Sequence, residues 1–330
     1  MGRAAAEAIA AGLALPVGDG KLAFSMIEVI ERVAPGEIWR EMRAASAVQF
    51  PASLTSCRDF DLDCPAVMGI VNTTPDSFSD GRSYPDAGRA IAHAEAMILA
   101  GAKIIDIGGE STRPGALPVE ADEEMRRVLP VIAGIRDRAA AAGVVISIDT
   151  RNAATMQAAL DAGAGMINDI SALTHDPASI GVAACSDAKV VLMHMQGEPR
   201  TMQLAPTYED VVLDVYDYLE TRVEAVEAAG IARSRLVIDP GIGFGKTVAH
   251  NLALVNQVSL FHGLGLPILV GASRKGFIAR LSADEPVDQR LGGSLALGLA
   301  AVAQGAQILR VHDVAETLQA LRIGEAIGAT

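Results

Sequence analysis

Aromatic side chains are scarce in this chain: they make up 4 % of its 330 residues, with a single tryptophan, whereas half of all residues are hydrophobic. The core must therefore be built from aliphatic layers, and 32 glycines allow many tight loops between them. Cysteine is sparse too. Cys57, Cys64 and Cys185 show no C-x-x-C spacing and are odd in number, which points to neither a disulfide framework nor a zinc knuckle and makes a reducing cytoplasm the expected location. Basic residues are outnumbered 27 to 40, for a formal net charge of -13. That balance argues against a nucleic acid or an anionic membrane as partner, so any anionic ligand must meet a local cluster of cations. No apolar run approaches the roughly 18 to 20 residues that span a bilayer. The apolar stretch 8–17 follows Glu7 and leads to no small-x-small cleavage site, so no signal peptide is expected.

What is present is an alternation. Short aliphatic runs at 67–71, 103–107, 144–148, 166–167, 189–193, 235–238, 267–270 and 306–311 are separated by longer stretches of helical character. The clearest of these are 86–100, 120–142, 153–162, 208–229 and 291–304. Strand–helix alternation of this kind builds a parallel sheet covered by helices. An open doubly wound sheet would carry a glycine-rich phosphate turn after its first strand, but the chain reads Asn72-Thr73-Thr74-Pro75-Asp76 there. The expected fold is thus α/β, a closed (β/α)8 TIM barrel over residues 66–330. Residues 1–65 form an N-terminal extension of unassigned role, with a helix or strand over 22–32 and packing on the barrel.

In such a barrel the active site lies at the C-terminal ends of the strands. Polar residues follow nearly every run here: Asn72, Asp106, Asp149, Asn168 with Asp169, His194, Asp239, Lys275, and Arg310 with His312. Any one Asp or Asn in this position can serve simply as a helix cap. Eight ends converging on one rim are better explained by a polar pocket. Arg310 and His312 lie two apart on one strand, so they share a face, and two cations at one place suit a phosphate or pyrophosphate. Leu309 and Val311 would then face the helices.

Two long polar loops, 72–84 and 109–115, follow the first two runs and could close over a charged ligand. The segment Gly241-Ile-Gly-Phe-Gly-Lys-Thr247 resembles the end of a phosphate-binding P-loop, but Pro240 stands where its first glycine is required. His93, His175, His250 and His262 lack companions at metal-ligand spacing and indicate no zinc site.

Eight ordered segments make a family resemblance specific: MGIVNTTPDSFSDG (68–81), DIGGESTRPGA (106–116), SIDT (147–150), INDIS (167–171), LMHMQG (192–197), DPGIGFGK (239–246), SRKGFI (273–278) and RVHD (310–313). Together they resemble the dihydropteroate synthases, which are pterin-binding barrels of folate biosynthesis. The resemblance implies a transferase that joins 6-hydroxymethyl-7,8-dihydropterin pyrophosphate to p-aminobenzoate. Pyrophosphate leaves by C–O cleavage, through a pterin cation. Asp149, Asn168, Met193, Asp239, Gly243, Phe244 and Lys275 would hold the pterin. Asn72, Thr112, Arg113, Arg310 and His312 would surround the pyrophosphate. Phe78, Thr112, Pro114, Phe244, Lys275 and Gly276 would border p-aminobenzoate, where sulfonamides would compete. Lys275, Arg310, His312 and Asp149 would carry the chemistry.

Magnesium would ride on the phosphates, with Asn72 as its protein ligand. A homodimer is implied as well, for which the 291–304 stretch could supply an isologous face. Where many relatives have serine after the Arg-Lys pair, this chain has Gly276, leaving backbone N–H groups to meet the p-aminobenzoate carboxylate. The alternatives are a pterin-dependent methyltransferase, which needs no pyrophosphate site, and a non-catalytic pterin-binding protein.

Overall fold

The computed structural model describes residues 3–17, 22–34, 36–47, 65–73, 87–111 and 118–328. Strands β1 (Leu15–Val17) and β2 (Leu22–Phe24) form a small antiparallel pair behind helix α1 (Arg3–Ala10). Strands β3 (Met26–Ala34) and β4 (Glu37–Ala44) form a longer hairpin. The 22–32 stretch is thus strand rather than helix, consistent with its β-branched Ile27, Val29 and Ile30.

Eight parallel strands follow: β5 (Ala66–Asn72), β6 (Ile104–Gly108), β7 (Val145–Asp149), β8 (Met166–Asp169), β9 (Lys189–Met193), β10 (Leu236–Asp239), β11 (Leu269–Val270) and β12 (Ile308–Val311). They pair in the order β10-β9-β8-β7-β6-β5-β12-β11, and a bridge between Ile238 and Ile268 joins the two ends into a barrel. All eight aliphatic runs are therefore strands. The helices between them are α2 (Ala87–Ala100), α3 (Ala121–Ala141), α4 (Ala153–Ala162), α5 (Ser179–Ala184), α6 (Val211–Ala228), α7 (Val248–Asn256), α8 (Gly276–Leu281), α9 (Leu291–Ala303) and α10 (Val314–Gly328). Helices α5, α7, α8 and α10 go beyond the five stretches whose periodicity was clear. No helix among the described residues is long and apolar enough to cross a membrane.

Both faces of each strand are buried, which is why the strands read as continuous apolar runs. Outward-facing residues such as Val67, Ile105, Ile148, Val190 and Leu309 join one large core with the helices. Inward-facing residues fill the barrel floor: Ala66, Met68, Ile104, Met166, Val191, Val237, Leu269 and Ile308 pack together and are fully buried. Two residues further along β6, β7, β8, β10 and β12 the inward positions turn polar, at Asp106, Ser147, Asn168, Asp239 and Arg310.

The extension meets the barrel through charge. Arg32 on β3 binds Asp214 at 2.6 Å, Asp217 at 3.3 Å and Glu209 at 3.6 Å, and Arg40 on β4 approaches Asp210 at 3.6 Å. These acids surround the start of α6, where Asp210 accepts from the N–H groups of Val212 and Leu213. No described residue of the extension enters the apolar clusters of the barrel. Exposed ion pairs are individually weak and are screened at a Debye length of about 3 Å in 1 M salt. Raising salt to that level is expected to release the hairpin, seen as faster protease cleavage within 26–44. The double substitution Arg32→Ala, Arg40→Ala is expected to do the same at low salt, and unchanged cleavage in both cases would refute an electrostatic attachment.

Candidate active site

Strand parity decides which side chains reach the mouth. On β5, β6, β7, β8, β10 and β12 the inward positions above the apolar floor are Asn72, Asp106, Asp149, Asn168, Asp239 and Arg310, with His312 just beyond β12. The same parity turns Asp169 and His194 away. Asp169 accepts from the N–H groups of Ser171 and Leu173 and from the Ser171 hydroxyl, so it closes the turn that follows its strand rather than facing the mouth. His194 lies edge-on to Tyr218 at 4.9 Å on the helix side. The expectation of a polar residue from nearly every strand facing one rim is corrected at these two.

Three carboxylates, Asp106, Asp149 and Asp239, gather around the Arg310 guanidinium at the mouth. Arg310 donates to Asp106 Oδ2 at 2.6 Å through Nε and to Asp149 Oδ2 at 2.5 Å through Nη2. Asn168 donates to the same Asp106 oxygen at 3.0 Å, and Asp239 accepts from the Gly241 N–H at 2.7 Å. Burial pushes the Asp149 carboxyl up to about 7 against the pull of Arg310, and burial also raises Asp239. The two cations expected at 310 and 312 are therefore one cation, already bound to carboxylates, and one neutral imidazole. Burial, with Arg310 and Arg274 nearby, pushes His312 down to about 3. Ser273 Oγ accepts from the His312 backbone N–H at 3.2 Å and lies 3.0 Å from Nδ1. The neutral ring carries one proton, and the Ser273 hydroxyl can meet Nδ1 as donor or as acceptor according to the tautomer.

The Ser273-Arg274-Lys275 segment turns sharply. Arg274 has φ of 56°, a left-handed conformation that costs a non-glycine residue about 1 kcal/mol or more. Asp313 holds it there by pairing with both Nε and Nη2, and Ser294 Oγ accepts its backbone N–H at 2.9 Å. This turn aims Lys275 inward, where its ammonium sits 4.0 Å from the centre of the Phe244 ring. Burial pushes Lys275 down to about 8, with Arg310 adding to the shift and Asp239 and Asp149 opposing it.

Opposite stands the glycine turn after β10. Gly241 has φ of +70°, and a Cβ there would lie 1.9 Å from the His194 carbonyl oxygen; at Gly243, φ +85°, it would press on Lys275 at 2.9 Å. Lys246 pins this turn from behind, donating to His194 Nδ1 at 2.9 Å and to the Phe244 carbonyl at 3.0 Å. Its ammonium faces protein rather than a phosphate, as the misplaced Pro240 implied. Met202 packs with Ile170, Met193 and Phe244, and Gln203 donates to the Gly243 carbonyl at 2.6 Å.

These groups enclose a cavity of about 330 Å³ lined by Asn72, Asp149, Gly243, Phe244, Lys275, Gly276, Arg310 and His312 among others. A narrow recess below it is lined by Asp149, Asn168, Met193, Asp239, Phe244, Lys275 and Arg310. Every proposed pterin residue thus lines the cavity, the recess or both, and Asp149, Phe244, Lys275 and Arg310 line both. Phe78, Thr112, Arg113 and Pro114 lie outside the described residues.

The model of the pterin binding enzyme family matches residues 68–312. A dihydropteroate synthase of Escherichia coli (strain K12) is 48 % identical over 266 residues, covering 81 % of this chain and 93 % of its own. This chain belongs to the dihydropteroate synthase family. A solved Xanthomonas albilineans dihydropteroate synthase with 4-aminobenzoic acid is 47 % identical with a TM-score of 0.76, covering 81 % of this chain and 94 % of that one. A Yersinia pestis dihydropteroate synthase in a sulfonamide drug complex is 46 % identical with a TM-score of 0.77, covering 83 % and 98 %. The methyltransferase and carrier alternatives give way to these likenesses.

Sequence reasoning missed several residues that shape this synthase site. Lys246 was set aside with the P-loop comparison, although a lysine closing a glycine-rich turn was visible. Glu124 of α3 is fully buried beneath the loop after β6 and accepts at one oxygen from Thr150 at 2.8 Å, Asn152 at 2.9 Å and Thr155 at 2.7 Å. Burial raises its pKa. It ties the β7–α4 turn, next to Asp149, to α3; its acidic neighbours in the sequence concealed it. Replacing Lys246→Met would orphan the Phe244 carbonyl and His194 Nδ1, at about 2 kcal/mol of unfolding free energy. Denaturant unfolding measures this, and a stability equal to wild type would show that the turn does not depend on Lys246.

Proposed function

We propose that the mouth cavity binds 6-hydroxymethyl-7,8-dihydropterin pyrophosphate and condenses it with p-aminobenzoate, as the enzyme's membership of this family of folate-pathway transferases implies. The observation that carries the reading is the recess itself. Asp149, Asp239 and Asn168 present acceptors on one side, Lys275 presents a donor on another, and Met193 and Phe244 form apolar walls. That pattern complements a flat heterocycle with amino and ring N–H donors along one edge and acceptors along another.

Substrate entry then exchanges partners. Arg310 gives up its bond to Asp149, freeing that carboxylate to accept from the pterin, and its guanidinium turns to the pyrophosphate beside the His312 ring. Thr112 and Arg113 would complete this anion site from the loop after β6. Among the described residues no cluster of three or more His, Cys, Asp or Glu could hold a metal. Asn72 supplies a single neutral side-chain oxygen at the rim, a donor set that fits magnesium carried mainly by pyrophosphate oxygens and water. When bound there, magnesium would neutralise charge on the departing pyrophosphate.

Cleavage of the pterin C–O bond leaves a pterin methyl cation, and the Arg310–His312 end stabilises the leaving group. The carboxylates of Asp149 and Asp239 stabilise the ring that bears the positive charge. The amine of p-aminobenzoate is neutral and nucleophilic near pH 7, so it needs positioning rather than a general base. Phe78, Thr112, Pro114, Phe244, Lys275 and Gly276 would border its ring, where sulfonamides would compete. We place the enzyme in the cytoplasm on its sparse cysteines, odd in number and without C-x-x-C spacing. We assign it a homodimer through α9 and α10, whose shared groove carries the exposed side chains Leu299, Ile323 and Ile327.

The direct test is pyrophosphate release from the pterin substrate with magnesium, with and without p-aminobenzoate. Release coupled to dihydropteroate is expected in the wild type and, after Lys275→Ala, at a rate lower by about 100-fold or more. Pterin binding without any release in the wild type would overturn the reading. A second expectation follows from Asp149. When ionised it accepts at both oxygens and carries charge, whereas protonation turns one oxygen into a donor, so pterin affinity should fall as pH drops through about 7, by up to about tenfold per pH unit. Asp149→Asn should abolish that pH dependence together with most of the affinity. Calorimetric titration from about pH 8 to about pH 6 decides it; a flat profile for the wild type would remove Asp149 from the pterin site.

A further inference from the structure

Six cationic side chains line the mouth cavity: Lys246, Arg274, Lys275, Arg280, Arg290 and Arg310. Five are committed within the protein. Arg310 is held by Asp106 and Asp149, and Arg274 by Asp313. Arg290 donates to the carbonyls of Glu285 and Arg274, Lys246 to His194 and the Phe244 carbonyl, and Lys275 lies over the Phe244 ring. Arg280 is exposed and has no hydrogen-bond or ion-pair partner among the described residues.

Its position on α8 gives that free charge a direction. Arg280 stands four residues after Gly276, so the two share one face of the helix, and helical side chains lean toward the N-terminus. The Arg280 stem is therefore directed over the turn that begins at Gly276. Nothing else fills that place: a Cβ built on Gly276 meets no atom within 4 Å. A planar fork of donors thus reaches an open part of the rim, beside Lys275.

We propose that Arg280 is a specificity-determining residue that binds the carboxylate of the aromatic amine, in the space that a side chain at Gly276 would otherwise occupy. This rests on the synthase reading above. The amine of p-aminobenzoate must point toward the pterin recess, and the carboxylate lies para to it, at the opposite end of the ring and toward the rim. A guanidinium pairs with a carboxylate through two parallel N–H···O bonds, which the backbone N–H groups near Gly276 could not match alone. The pyrophosphate is the other anion at this mouth. Arg310 and His312, on the β12 side, serve it.

The test is steady-state kinetics of the full chain, with p-aminobenzoate compared to its uncharged methyl ester. Arg280→Ala is expected to raise KM for p-aminobenzoate about tenfold, the loss of one charge-assisted contact at an exposed site. KM for the ester and for the pterin pyrophosphate should not follow. Arg280→Lys should retain part of the preference for the acid, and adding Gly276→Ser to Arg280→Ala should restore part of it. An unchanged KM for the acid, or an equal rise for acid and ester, overturns the assignment. A rise confined to the pterin pyrophosphate assigns Arg280 to the phosphates instead and equally overturns it. If the wild type forms no dihydropteroate, the synthase reading fails and this proposal with it; an active wild type with an indifferent Arg280→Ala removes only the proposal.

Discussion

The pairing of Arg310 with Asp106 and Asp149 is the interaction on which the site depends. Several carboxylates buried at one barrel mouth repel one another and lose their hydration, a cost that grows steeply unless a cation and donors face them. Arg310 meets both needs at once, with two of its nitrogens on two strands away from its own. The barrel makes this arrangement possible because inward positions from β6, β7 and β12 lie at neighbouring heights.

Around that centre the protein spends its other cations on rigidity. Arg274 is kept in a left-handed backbone conformation by Asp313 so that Lys275 can enter the mouth, and Lys246 fastens the glycine turn that carries Phe244. Phe244 and Lys275 then meet ring to ammonium across the cavity. Each of these residues acts by fixing the position of another, so the cavity wall rests on polar bonds from four different strand ends. The extension reaches the same region from outside: its arginines bind acids at the start of α6, just beyond Tyr208, whose hydroxyl donates to the Gly245 carbonyl at 2.7 Å.

All eight strands were legible because a parallel barrel buries both strand faces, leaving uninterrupted aliphatic runs that need no tertiary information to notice. The polar residues closing those runs were legible for the same reason. Helices such as α5 and α8 are only 6 residues long, too short for periodicity to mark them. The hairpin of the extension was ambiguous because its apolar residues are only half-buried and interleaved with charge, so their spacing fits a strand or a helix.

By itself the sequence determined the architecture, the family and the identity of the groups at the mouth, since these follow from local pattern and from motifs that each sit at one strand end. Tertiary structure decided how those groups are used. Only strand parity in the closed barrel could separate Asp149 and Asp239, which face the cavity, from Asp169 and His194, which face the helices. Only the distances across the mouth could show that Arg310 is already paired and His312 neutral, while Arg280 is left without a partner among the described residues. Charge state and pairing depend on what surrounds a residue in space, and a chain read in order contains no record of that.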